Sequence, residues 1–103
     1  MQAITNQIEL QEKLSVGVSL VYVHTEHCGV CVADLPRVEV LTERLQIPAY
    51  SINPEKMSVL RGQWSLFTAP VVLLFLNGKE MHRQARIIDF KELEYRITQL
   101  KDA

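Results

Sequence analysis

Cysteine is scarce in this chain: Cys28 and Cys31 are the only two in 103 residues. That number is too small for the disulfide framework of a small secreted domain, so reactivity or metal binding is left for them. No single sign of charge dominates, with 11 basic against 12 acidic residues and a formal net charge of −1. The cations are scattered, so there is no basic stripe to neutralise phosphates or hold an anionic membrane surface, and neither nucleic acid nor membrane is an expected partner. The longest apolar run, Pro70 to Leu76, falls far short of the roughly 20 residues that a spanning helix needs. Met1 to Gln7 lacks the charged start, apolar stretch and small-residue cleavage site of a secretory signal, so a soluble cytoplasmic protein is expected. Glycine and proline are sparse, at 4 each. With no repeat, low-complexity tract or linker to divide the chain, residues 1–103 should form one domain, as a monomer. What is present suffices for a core: 48% of residues are hydrophobic and 22% charged, the balance of ordinary globular domains.

The elements follow from periodicity. Met1 to Ile4 can open as a strand. Asn6 with Glu9 suggests a capping box, followed by Ile8 and Leu14 in a polar surround, and predicts a short helix ending by Gly17. Val18 to Val23 is apolar on both faces, the pattern of a strand in the middle of a sheet. Cys31, Leu35, Val38, Leu41 and Leu45 mark one face of a helix, with Pro36 predicting a kink inside it rather than an end. Ala49 to Asn53 reads as a strand. Pro54 then opens a predicted helix from Glu55 to about Trp64. Val71 to Leu76 and Lys79 to about Ala85 form a hairpin around Asn77-Gly78, both of which tolerate the positive φ of a type I′ turn. Asp89 and Glu92 start a last helix with Phe90, Leu93, Ile97 and Leu100 as its apolar stripe. The order predicts an α/β fold, a mixed sheet of four to five strands with helices on both faces.

Chemistry centres on His27-Cys28-Gly29-Val30-Cys31, between a buried strand and the first turn of a helix. Unpaired N–H groups and the positive end of the helix dipole stabilise a thiolate at Cys28, so its pKa should fall below the ordinary value of about 8.5. Cys31, one turn later on the apolar stripe, should be shielded yet within reach of the first sulfur. Cys28 is thus the predicted nucleophile and Cys31 the resolving thiol, with Gly29, Val30, His27 and His24 as supporting residues. An imidazolium at His27 would further favour the Cys28 thiolate and could protonate a leaving thiol; an idle loop position is the competing reading. His24, His27, Cys28 and Cys31 are also zinc-competent. Their convergence on one ion across a sharp strand-to-helix turn would need a purpose-built geometry, and no metal site is expected. Trp64, Phe67 and Phe75 sit where core or groove-edge aromatics are expected, with packing the favoured reading, and no cofactor is implied.

A strand, Cys-Gly-x-Cys, a helix with Pro36, then Thr68-Ala69-Pro70 before a strand ending in Leu-Asn-Gly-Lys together resemble the thioredoxin family over essentially the whole chain. The resemblance implies a thioredoxin fold with a cis Ala69–Pro70 bond, the backbone at Ala69 free to pair with an extended substrate, and Ala69, Pro70 and Arg86 along the substrate groove. It implies reduction of protein disulfides through Cys28 and Cys31, a part in cell redox homeostasis, and electrons from a thioredoxin-reductase-like flavoprotein. The chain departs from the family pattern at four places: His27 stands before the first cysteine instead of Trp, Val30 between the cysteines instead of Pro, Tyr22 where the family has a buried aspartate, and Arg86 where it has a glycine. The departures at His27, Tyr22 and Arg86 keep in view a non-catalytic interaction module using the groove beside Pro70; a glutaredoxin-like reductase of low-molecular-weight thiol adducts is a third reading, for which the chain shows no dedicated glutathione-binding signature.

Overall fold

The computed structural model describes residues 1–103. In chain order they form β1 (Gln2–Ala3), α1 (Gln7–Leu14), β2 (Val18–Val23), α2 (Gly29–Arg44), β3 (Ala49–Ile52), a 3-10 turn (Pro54–Lys56), α3 (Ser58–Gln63), β4 (Val71–Leu76), β5 (Lys79–Ala85) and α4 (Phe90–Lys101). One five-stranded sheet has the order β1-β3-β2-β4-β5. β1, β3 and β2 run parallel, while β4 lies antiparallel to β2 and β5 antiparallel to β4. The sheet is therefore mixed, as the run of strands and helices predicts, and it has five strands.

β2 and β4 are central, and their alternate residues face opposite layers. Val21, Val23, Val71, Leu73 and Phe75 join Leu10 and Leu14 of α1 and Leu60 of α3 in one core. Leu20, Tyr22, Val72 and Leu74 join Val38 and Leu41 of α2 with Leu93 and Ile97 of α4 in the other. Both faces are covered, which is why both central strands are hydrophobic at every position but Ser19 and Tyr22.

Three local predictions need correction. Glu55 to Trp64 is two pieces, since Met57 leaves helical geometry at φ −137° and its side chain is buried in the α1/α3 core. The Asn53 side chain caps the Glu55 N–H and the turn that follows tightens to 3-10, so the register restarts at Ser58. In α1 the inward pair is Leu10 and Leu14, whereas Ile8 is 68% exposed. Phe67 is not packed: it is 66% exposed, with the Arg61 guanidinium over its ring. Elsewhere the signals hold. α2 runs unbroken through Pro36, the Asn6 and Asp89 side chains accept from the N–H of Glu9 and Glu92, and Asn77 and Gly78 both have positive φ.

Candidate functional site

Pairing brings three loops to one end of the sheet. Val23, the last residue of β2, lies opposite Val71, the first of β4, and Val71 lies opposite Ala85, the last of β5. The cysteine loop, the segment before β4 and the turn after β5 therefore emerge side by side.

Cys28 is the N-cap of α2. Its extended backbone (φ −101°) lets its carbonyl accept the N–H of Val32, while its Sγ accepts the N–H of Cys31 at 3.1 Å. The sulfur thus occupies the place of a capping oxygen, on the positive end of a helix with no acidic residue in its first turn. The Cα atoms of Cys28 and Cys31 are 5.2 Å apart and the two sulfurs are bonded as a disulfide. Exposure separates their chemistry: Cys28 is half-buried at the surface, Cys31 is 3% exposed beneath it. A partner sulfur in solution can meet only the first. Gly29 opens the helix with nothing within 4 Å of where a β-carbon would sit. Val30 is exposed beside it.

Tyr22 reaches this site from β2. Its buried hydroxyl donates to the carbonyl of Cys31 at 2.7 Å, and burial, helped by the charge of Asp34, pushes its pKa up to about 12. The phenol stays neutral at physiological pH and cannot remove a proton from Cys31. A cavity of about 110 Å³ adjoins Cys31, lined also by Tyr22, His24, Thr25 and Ser51. His24 is half-buried there, its backbone N–H bonded to Ile52. His27 is exposed with φ 60° in the tight turn before Cys28. Glu26 points to Lys56 at 3.4 Å. His24, His27, Cys28 and Cys31 do not close on a common point that could hold a metal ion.

Ala69–Pro70 is a cis peptide bond. The Pro70 carbonyl accepts the N–H of Arg86 at 2.7 Å, whereas neither Thr68 nor Ala69 makes a backbone hydrogen bond within the chain. Ala69 is half-buried. Thr25 ties this segment to the cysteines, lining both the cleft with Phe67 and Ala69 and the cleft with His27 and Cys28. Arg86 is exposed with φ 71°. The candidate site residues His24, His27, Cys28, Gly29, Val30, Cys31, Ala69, Pro70 and Arg86 thus lie at one end of the sheet. The contact of Tyr22 with the Cys31 carbonyl and the placement of Thr25 and Ser51 were not foreseen. Alternation along β2, which puts Tyr22 on the same face as Leu20, is the signal that could have pointed Tyr22 towards α2.

No protein-family model matches the chain. The thioredoxin-like protein YdfQ of Bacillus subtilis strain 168 is 35% identical to it over 80 residues, 77% of this chain and 71% of that protein. The chain belongs to the thioredoxin family. Solved thioredoxin structures carry the same fold. A mutant thioredoxin from Halobacterium salinarum matches 99% of this chain and 91% of its own with a TM-score of 0.90 at 22% identity. Fasciola hepatica thioredoxin matches 98% of this chain and 100% of its own with a TM-score of 0.84 at 19% identity. Family membership and the Cys28–Cys31 pair together support thiol–disulfide oxidoreductase activity. No helix is long and apolar enough to cross a membrane.

Proposed function

We propose that this thioredoxin-family chain is a protein-disulfide reductase that cycles Cys28 and Cys31 between dithiol and disulfide, acting as one domain over residues 1–103. The observation that carries the reading is the asymmetry of the pair. A half-exposed sulfur caps an open helix end, and it is bonded to a second sulfur buried beneath it.

In the reduced enzyme the Cys28 thiolate, favoured by the α2 dipole and the Cys31 N–H, attacks one sulfur of a substrate disulfide. A Cys28–substrate bond forms, the substrate S–S bond breaks, and the leaving thiolate takes up a proton, for which His27 is the nearby donor in our reading. Cys31 then gives up its proton and attacks Cys28. The mixed disulfide breaks, the second substrate thiol departs protonated, and two electrons have passed to the substrate. Tyr22 is unfit to accept the Cys31 proton, so His24, beside Cys31 on the shared cavity, is assigned that supporting role. Bare Gly29 and exposed Val30 leave the approach to Cys28 open. The free backbone at Ala69, next to Pro70, would hold the substrate as an added strand, with Arg86 beyond it. Electrons would return from a thioredoxin-reductase-like donor in a reducing cytoplasm, where a dithiol of this kind serves electron transfer.

Insulin-disulfide reduction tests the scheme. Cys28→Ser should lose activity to the uncatalysed background, and Cys31→Ser should accumulate a mixed disulfide on Cys28 visible by mass spectrometry. Full turnover in either variant would refute it, and an inert wild type would favour the interaction module.

A further inference from the structure

Arg86 is set apart from the other arginines. Arg37, Arg44, Arg83 and Arg96 each lie within 4 Å of a carboxylate, those of Asp34, Glu94, Glu80 and Glu92, and Arg61 donates to the carbonyl of Leu66. The Arg86 side chain is in none of the ion pairs of the chain and is exposed. Asp89, the acid in the same turn, uses a carboxylate oxygen to cap α4.

Its backbone sharpens the contrast. At φ 71° Arg86 occupies the left-handed region, which disfavours any β-carbon and suits glycine. What the fold takes from it is one N–H donated to Pro70, which any residue but proline can supply. An arginine held against its backbone preference, with a charge in no ion pair of the chain, points outward for its use.

Its position suggests which use. β2, β4 and β5 are consecutive in the sheet, so from the end of β2, where the cysteine loop begins, to the end of β5 is two strand spacings, about 10 Å. Exposed Val30, Val32, Phe67 and Ile87 stand around this end. Of the acidic groups there, Glu26 is engaged by Lys56 and Glu55 lines the cleft on the Phe67 side. Beside Pro70 the exposed side chains are thus largely apolar, and Arg86 is a cation in no ion pair there.

We infer that Arg86 selects disulfide substrates whose reactive cysteine lies in an otherwise apolar extended segment with a carboxylate a few residues away. This rests on the reductase reading above, and names the substrate class of that site.

Synthetic peptide disulfides of one apolar sequence test it, with Glu, Gln or Lys placed two, three or four positions from the cysteine on either side. Thiol release by the reduced protein is followed under second-order conditions. On one side the Glu peptide should react up to about five-fold faster than the Gln peptide, with the Lys peptide slowest. The preference should shrink towards unity in about 0.5 M salt. Arg86→Gln should bring the Glu/Gln ratio close to one, and Arg86→Lys should keep most of it. Being a ratio, it does not depend on how much variant is folded. Equal rates in the wild type, or an unchanged ratio in Arg86→Gln, would overturn the inference alone. Reduction of none of the peptides would overturn the reductase reading and this inference with it.

Discussion

Tyr22 links a strand residue to the chemistry of the buried sulfur. Its hydroxyl holds the carbonyl of Cys31, so it fixes the first turn of α2 rather than serving as a base. Tyr22→Phe removes that bond and leaves the carbonyl without this partner, a loss of about 1 kcal/mol in urea unfolding at neutral pH. Alkaline pH gives a second signature. Burial raises the folded phenol from 10.0 to about 12, so the unfolded chain releases this proton first. The stability it contributes is whole below pH 10 and is lost as the pH climbs towards 12. Urea midpoints of wild type should fall more steeply than those of Tyr22→Phe across that window, and parallel curves would contradict the assignment.

At the scale of elements, what could be read in advance was whatever local chemistry decides alone. β4 carries an uninterrupted apolar run and β2 one broken only by Ser19 and Tyr22, α2 carries a regular stripe from Cys31 to Leu45, and the Asn77-Gly78 hairpin needs its two positive φ angles wherever it is placed. The misses occur where distant packing chooses. Met57 is buried among α1 and α3 core residues, which splits the segment after Pro54, and nothing in the periodicity of that segment signals the break. Leu10 rather than Ile8 turns inward because α1 docks on the sheet along Leu10 and Leu14. The loop holding Phe67 has no periodicity at all, so nothing local decides between the core and the groove edge for its ring. The caps, by contrast, are local. At α4 the Asp89 carboxylate accepts the Glu92 N–H at 3.0 Å, and the Asp89 N–H is itself held by Gln84 of β5. Asp89→Ala should cost about 1 kcal/mol in chemical denaturation. Asp89→Asn should recover most of that loss, because an amide oxygen caps as well as a carboxylate.

Over the whole molecule, two cores sandwich a sheet whose one end carries everything the chemistry uses. Neither core depends on the bridge: of the two cysteines only Cys31 is buried, and a bridge spanning three positions closes too short a loop to contribute more than about 2 kcal/mol through the unfolded state. The fold should hold in both redox states, as a cycling enzyme requires. The helix end that stabilises the Cys28 thiolate favours the reduced form, while the proximity of Cys31 favours the oxidised one, and the balance sets the direction of electron flow. Equilibrating the protein with dithiothreitol or glutathione buffers of known poise and counting free thiols at Cys28 and Cys31 reads that balance directly. The account predicts one reversible two-electron transition more reducing than about −200 mV, the range in which a dithiol donates to protein disulfides. Absence of a reversible Cys28–Cys31 couple, or a strongly oxidising one, would contradict it.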